Sequence, residues 1–92
     1  MITIELPRAL GVTLGSGTAV RVDRACATVR DALAELGRQS EAALDRVMNE
    51  RGEIREHVNV FVNDENIRFL EGLDSPVPDG STVHVIAAIS GG

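Results

Sequence analysis

Apolar and polar residues alternate at the beginning of the chain. Residues 2–6 (Ile-Thr-Ile-Glu-Leu) alternate at every position, which predicts a half-buried β-strand. Pro7 is expected to end this strand, because proline has no amide proton for a sheet hydrogen bond. A glycine-rich turn at residues 11–17 separates it from a second alternating segment at residues 18–23. The two segments together predict a β-hairpin.

The pattern changes to a helical spacing after the hairpin. Thr28 can cap a helix, and Asp31 stands three residues later, as in a capping box. Gly37 is expected to end the helix. The apolar positions that recur at helical spacing in between are Val29, Leu33 and Leu36.

A second, shorter helix is predicted to begin after Ser40. Its apolar face would consist of Ala43, Leu44, Val47 and Met48. The polar residues 51–53 (Arg-Gly-Glu) break the pattern, and strand alternation returns after His57.

The second half of the chain predicts three further strands. Val58, Val60 and Val62 alternate with polar or aromatic residues, and residues 63–66 (Asn-Asp-Glu-Asn) form a turn signal. A short strand is expected at residues 67–69, and the last strand at residues 82–88. In the last strand one face carries Val83, Val85 and Ala87, and the other carries His84 and Ile86.

The order of these elements predicts an α+β fold of the ubiquitin-like β-grasp type. A hairpin, a crossing helix and further strands favour one mixed sheet with one main helix packed across it. We expect the strongly apolar first and last strands to lie side by side in the sheet centre. The β-grasp domain would span residues 1–88, and residues 89–92 would form a flexible diglycine tail.

Charge and cysteine content restrict the function classes. The formal net charge of −5 argues against nucleic acid and anionic membranes as partners and favours a basic protein surface. All nine basic residues are arginine. Cys26 is the single cysteine, which indicates a reducing cytoplasm, and we expect it to be a small apolar residue before the helix. His57 and His84 have no partner at metal-ligand spacing, so no metal site is predicted.

The sequence ends in Ile89, Ser90, Gly91 and Gly92. The glycine pair has no side chains beside the α-carboxylate, so the backbone can enter a channel too narrow for other residues. Four extended residues reach about 13 Å, at roughly 3.3 Å per residue. We expect an arm whose carboxylate, on Gly92, reaches the active site of another protein.

Residues 57 to 92 resemble the MoaD/ThiS sulfur carriers. The resemblance is carried by residues 58–69 (Val-Asn-Val-Phe-Val-Asn-Asp-Glu-Asn-Ile-Arg-Phe), by Gly-Leu at 72–73, by Pro-Asp-Gly at 78–80 and by residues 83–92. This pattern is most similar to the longer, CysO-type members that serve cysteine biosynthesis. The first strand and the Thr28 helix match more loosely. Carriers of this family often have proline before a Val-Ala-Gly-Gly ending, where this chain has Ala87, Ala88 and Ser90.

The resemblance implies a carrier and not an enzyme. An adenylyltransferase similar to ubiquitin-activating enzymes would use ATP to convert the Gly92 carboxylate to an acyl adenylate, and a sulfur donor would displace AMP to leave a thiocarboxylate. The carrier would bind no cofactor of its own, since ATP is used by the activating partner. Its other implied partners are a sulfur acceptor, such as a PLP-dependent cysteine synthase, and a metalloprotease acting at the diglycine.

The last strand also predicts a docking surface, because His84 and Ile86 lie on the face opposite Val83 and Val85. His84 and Ile86 stand at the same distances from the terminal diglycine as the His and Val of ubiquitin's recognition patch. We expect Ile86 to form a docking surface with Phe61 or Phe69 beside it. The alternative is that Ile86 packs under the helix and Val85 faces out. The acidic residues Asp64, Glu65 and Glu71 are expected to form a solvated rim.

Three other functions share these features. The chain could serve as the small subunit of molybdopterin synthase, with the same tail inserted into a large subunit. It could be a ubiquitin-like modifier whose carboxylate is joined to lysines of other proteins. It could also be a plain β-grasp interaction domain in which the tail has no role.

Overall fold

A computed structural model of the protein describes residues 1–7, 19–23 and 26–87. Within these ranges two helices lie between strands, and two short 3-10 helices follow the fourth strand. The elements in chain order are β1 (Ile2–Glu5), β2 (Ala19–Val22), α1 (Val29–Gln39), α2 (Glu41–Val47), β3 (Val58–Val62), β4 (Glu65–Asn66), the 3-10 helices Ile67–Phe69 and Gly72–Asp74, and β5 (Thr82–Ala87).

The strands form one mixed sheet in the order β2-β1-β5-β3-β4. β1 pairs with β2 antiparallel and with β5 parallel, with Ile4 opposite Val83. β5 pairs with β3 antiparallel, with Val60 opposite Val85. The prediction that the first and last strands are neighbours is therefore confirmed, and β5 is the central strand.

The helices cover one face of this sheet. The buried residues of α1 pack with the inward-facing valines and isoleucines of the strands in a single aliphatic core. The most fully buried large side chains of this core are Ile4, Leu33, Leu36, Val29, Val47, Val58, Val60 and Val83. Phe61 is half-buried and Phe69 is exposed, so neither aromatic side chain belongs to the core, which aliphatic residues fill.

A capping box fixes the beginning of α1, as the sequence predicts. The Thr28 hydroxyl accepts a hydrogen bond from the Asp31 amide (3.3 Å), and the Asp31 carboxylate accepts one from the Thr28 amide (3.2 Å). Asp31 also accepts from the Ala27 amide (3.1 Å). These bonds satisfy donors that the first turn of a helix leaves without partners.

Replacement of Thr28 tests this cap. Thr28→Ala removes the hydroxyl that accepts from Asp31, so we expect the free energy of unfolding to fall by about 1 kcal/mol. Thr28→Ser keeps a hydroxyl at the same position and should remain close to the wild type. Chemical denaturation of the three proteins measures the difference, and equal stability of the alanine and serine variants would contradict the role of the hydroxyl.

The prediction that Gly37 ends the first helix is wrong. α1 continues to Gln39 and ends at Ser40, whose amide donates to the Leu36 carbonyl (2.8 Å). A Cβ atom on Gly37 would lie 2.5 Å from the Leu44 Cδ2 atom. Glycine therefore stands inside the helix because it lets the Leu44 side chain of α2 approach α1 closely, and not because the helix stops there.

Ser40 connects the two helices. It is the C-terminal cap of α1 and the N-terminal cap of α2, where its hydroxyl accepts a hydrogen bond from the Ala43 amide (3.1 Å). The prediction that Ser40 caps the second helix is confirmed.

The predicted strand at residues 67–69 is also wrong. The strand that pairs with β3 is the two-residue β4, and residues 67–69 form a 3-10 helix. The Asn66 side chain accepts a hydrogen bond from the Arg68 amide (2.9 Å), a local bond that competes with sheet pairing. The turn before β4 contains Asn63 with a φ of 56°, a left-handed conformation that asparagine tolerates.

The first residue is connected to the loop before β5. The Met1 amino group donates to the Asp79 carboxylate, and the Gly80 amide donates to the Met1 carbonyl (2.8 Å). The hydrogen bond from the Met1 ammonium, and then its positive charge, lower the pKa of the Asp79 carboxyl from its ordinary value. These contacts place the beginning of β1 beside the beginning of β5.

Candidate functional site

The two faces of β5 differ in burial. Val83 and Val85 are buried, whereas His84 is half-buried and Ile86 is 49% exposed. Ile86 is one of the large apolar side chains that the fold leaves in solvent. The predicted alternation of this strand is confirmed, and the alternative in which Ile86 packs under the helix and Val85 faces out is wrong.

Sheet pairing brings other residues beside His84 and Ile86 on the uncovered face. His84 stands opposite Glu5 on one side and opposite Phe61 on the other, and Ile86 stands opposite Asn59. Side chains directly opposite each other in neighbouring strands have Cβ atoms roughly 4.5–5.5 Å apart. His84, Ile86, Phe61 and Asn59 therefore form one continuous surface, which we call the open-face patch.

Phe69 lies in a different part of the molecule. It is 86% exposed and belongs to the 3-10 helix that follows the edge strand β4, with β3 between β4 and β5. The side-chain amide nitrogen of Asn66 (Nδ2) donates a hydrogen bond to the side-chain oxygen of Asn59 (Oδ1, 3.4 Å). This bond connects the β4 edge to the open-face patch. Of the two aromatic residues predicted beside Ile86, Phe61 lies on the neighbouring strand and Phe69 at the sheet edge.

Asn59 is the member of the patch that sequence reasoning missed. Its place opposite Ile86 depends on the register between β3 and β5, which joins segments far apart in the chain. The alternation of β3 puts Asn59 on the same face as Phe61, but alternation alone does not specify a cross-strand partner.

The predicted tail lies outside the described residues. Ile89, Ser90, Gly91 and Gly92 all follow Ala87, the last described residue, which stands opposite Val58. The predicted boundary between domain and tail, at residues 88 and 89, also falls beyond Ala87.

Other candidate residues lie away from the open-face patch. Cys26 is 8% exposed and packs in the core before α1, as expected for a small apolar residue. Asp64, Glu65 and Glu71 are exposed around the β4 edge. Among the described residues, no group of three or more histidine, cysteine or acidic side chains is placed to hold a metal ion. The described ranges also contain no helix that is long and apolar enough to cross a membrane.

A central parallel β1–β5 pair, a capped helix across one face and an open second face define the ubiquitin-like β-grasp class. The sequence matches the ThiS family over residues 11–92. The chain therefore belongs to the ThiS family, and the predicted membership among ubiquitin-like sulfur carriers is confirmed.

Individual relatives agree with this assignment over the whole chain. The sulfur carrier protein CysO of Mycobacterium tuberculosis (strain H37Rv) is 31% identical, with 99% of this chain and 98% of the relative covered. A chain in the crystal structure of the Amycolatopsis orientalis BexX/CysO complex superposes with a TM-score of 0.86 at 29% identity and 100% coverage of both chains. The crystal structure of SAMP1 from Haloferax volcanii gives a TM-score of 0.81 at 32% identity, covering 99% of this chain and 98% of that one. The predicted β-grasp fold is confirmed.

Proposed function

We propose that this chain carries sulfur as a thiocarboxylate on its C-terminal glycine, Gly92. The observation that carries the proposal is the ThiS family match, which extends through Gly91 and Gly92. Because glycines have no side chains, the backbone beside the carboxylate can enter a narrow active-site channel. The chain acts as a co-substrate of partner enzymes and supplies the carboxylate, while the partners supply the catalytic groups.

The proposed chemistry has two steps. A carboxylate resists nucleophilic attack, so a partner adenylyltransferase, similar to ubiquitin-activating enzymes, joins the Gly92 carboxylate to AMP from ATP and releases pyrophosphate. A sulfur donor at the oxidation level of sulfide then attacks the carbonyl carbon. The carbon–sulfur bond forms as the bond to AMP breaks, AMP leaves, and a proton is released from the sulfide. The product is a thiocarboxylate, and ATP is consumed at the partner's site.

The open-face patch is the proposed docking surface for the adenylyltransferase. Ile86 is an exposed apolar side chain on the strand that leads to the tail, and Phe61 adds aromatic area one strand away. A docked partner would therefore hold the origin of the tail at a fixed distance from its own active site. The net charge of −5 favours a partner surface with basic residues around the apolar contact.

The proposed acceptor of the sulfur is a PLP-dependent cysteine synthase or a similar enzyme. Similarity to CysO over the full length of both chains supports this choice. After transfer, a metalloprotease acting at the diglycine would release the product from the carrier. The cytoplasm, where a cysteine thiol stays reduced, is the proposed location.

A second candidate function is protein modification. The similarity to SAMP1, and to the small archaeal modifier protein 3 of the same organism at 35% identity over 66 residues, favours it. In that case the activated Gly92 carboxyl would form an amide with a lysine of another protein. The chain has no lysine of its own, so copies could not be joined through side-chain amines.

Intact-mass measurement tests the proposal. The protein is incubated with ATP, a purified adenylyltransferase of a ThiS-family pathway and sulfide. We expect a mass gain equal to the exchange of one oxygen for one sulfur, lost when ATP is omitted. Addition of a lysine-containing protein separates the two functions, because modification gives a covalent adduct and sulfur carriage does not. No mass gain in the complete mixture would contradict the proposal.

Cys26 offers an alternative site for the sulfur. Its thiol is buried in the core, and thiolates react from accessible, electropositive surroundings. We therefore expect Cys26→Ala to keep most of the sulfur loading in the same assay. A thermal melt shows whether the variant is folded, and a strong loss of loading by a folded variant would show that the thiol takes part.

A further inference from the structure

The amino group of Met1 is the one amine that this sequence offers to an activated carboxyl. All nine basic residues are arginine, so no lysine side chain accompanies it. Arginine guanidiniums stay protonated in proteins and do not attack carbonyl carbons as amines do. If the chain forms an amide with an activated carboxyl group, we therefore expect that amide at Met1.

A carboxylate engages this amino group in the folded protein. The Met1 ammonium donates to the Asp79 carboxylate, and the Gly80 amide donates to the Met1 carbonyl (2.8 Å). Two consecutive residues of the loop before β5 thus hold residue 1. Met1 and Asp79 are both exposed, so the ion pair, and not burial, is what limits reaction of the amine. An ammonium has no lone pair with which to attack a carbonyl carbon.

The register of the sheet places Met1 far from the end of β5. β5 runs from Thr82 to Ala87, and Thr3 stands opposite Thr82, two residues after Met1. Five steps along β5 and two along β1 together cover about 23 Å, at roughly 3.3 Å per residue. Residues 88–92 reach at most about 18 Å when fully extended, at about 3.6 Å per residue. The Gly92 carboxyl therefore falls short of the amine of its own molecule.

We propose that the fold keeps the one amine of this chain away from the activated carboxyl. Asp79 holds the Met1 amino group as an ammonium, and the length of β5 separates it from Gly92 of the same molecule. The inference rests on the proposed function, because the acyl adenylate is the group that a free amine would attack.

The reaction that is held back consumes the carrier. In that reaction the bond between the nitrogen and the carbonyl carbon forms, the bond from this carbon to AMP breaks, and the amine loses a proton. The product is an amide that joins two copies of the chain. Such an amide no longer offers a carboxyl group to sulfur, so a carrier benefits from an amine that is engaged.

The first experiment uses no partner enzyme. The purified chain is treated with N-acetoxysuccinimide at neutral pH, and intact mass with peptide mapping follows acetylation of Met1. Asp79→Asn should raise the acetylation rate about two- to fivefold, the range for an exposed ion pair. Asp74→Asn removes a different exposed carboxylate, which pairs with Arg30 (3.3 Å), and should leave the rate unchanged. Salt at about 1 M should narrow the difference between the wild type and Asp79→Asn, because it screens exposed charges.

The second experiment adds ATP and a purified adenylyltransferase of a ThiS-family pathway, without sulfide. We expect the Asp79→Asn chain to form amide-linked dimer about two- to fivefold faster than the wild type. Acetylation of Met1 beforehand should abolish the dimer. Neither protein should give a cyclic monomer, which would be lighter by one water.

Each part of the proposal has its own contrary result. Equal acetylation rates of the wild type and Asp79→Asn, or an activated Asp79→Asn chain that forms no dimer, would overturn the role of Asp79. A cyclic monomer would overturn the separation by β5. Failure of every chain to react with ATP would contradict the proposed function instead, and the acetylation rates would still decide the role of Asp79.

Discussion

Deletion of Gly92 is expected to abolish sulfur loading without unfolding the domain. The proposed acceptor of sulfur is the Gly92 carbonyl, and the deletion leaves a carboxylate one residue closer to the sheet. At roughly 3.3 Å per residue, this shift withdraws the reacting atom from an active site that requires placement within a fraction of that distance. The buried core of the described residues reaches no further than Val85, so the melting temperature should stay within error of the wild type.

A matched variant separates the carboxylate position from general effects on the end of the chain. Ser90→Ala keeps the length and the diglycine, so it should still load sulfur. Intact mass after incubation with the adenylyltransferase, ATP and sulfide compares the three proteins. Sulfur loading of the Gly92-deleted chain would overturn the assignment of Gly92 as the reacting residue, since the carboxylate of the shortened chain would then accept sulfur as well.

Ile86→Asp is expected to weaken binding to the adenylyltransferase by about 2 kcal/mol, or roughly 30-fold in Kd, the magnitude typical of an apolar residue at an interface centre. Ile86 is 49% exposed on the uncovered face, so the substitution adds a solvated charge to the free protein. The fold should therefore remain intact, and the cost should arise only when a partner covers the carboxylate.

The neighbouring residue provides the control. Val85 is buried on the helix side, so Val85→Asp should unfold the domain, because it places an unpaired carboxylate in the core. Ile86→Leu keeps an apolar side chain at the patch and should bind nearly as the wild type does. Isothermal titration and thermal melts measure both effects. An Ile86→Asp protein that melts normally and binds as tightly as the wild type would move the docking surface away from the open-face patch.

The alternation of apolar and polar residues predicted the faces of β5 correctly, whereas the sequence signals for helix ends were less reliable. Val83 and Val85 are buried whereas Ile86 is exposed, because successive side chains of a strand point to opposite faces and only one face of this sheet is covered. This two-residue period is visible in the sequence itself. The capping box at Thr28 is also a local pattern, because all of its hydrogen bonds join residues within four positions. These two features, which depend on neighbouring residues in the chain, were therefore predictable.

The two wrong predictions have different causes, one tertiary and one local. Gly37 has the usual sequence signature of a helix end, but its role is set by Leu44 on the next helix. At residues 67–69 the apolar pattern favours a strand, yet the Asn66 side chain redirects the backbone into a 3-10 turn. A groove lined by Ile54, Val58, Arg68 and Leu73 was not predictable either, since these residues meet only after the chain has folded.

The central position of β5 restricts the local motion of the proposed docking surface. β5 is hydrogen-bonded to β1 on one side and to β3 on the other, while β2 and β4 are the edges of the sheet. Edge elements open in local fluctuations, whereas strands paired on both sides are among the elements whose opening costs the most free energy. His84, which is paired on both sides, is thus held in place before a partner arrives, so association spends little conformational entropy on this part of the open-face patch.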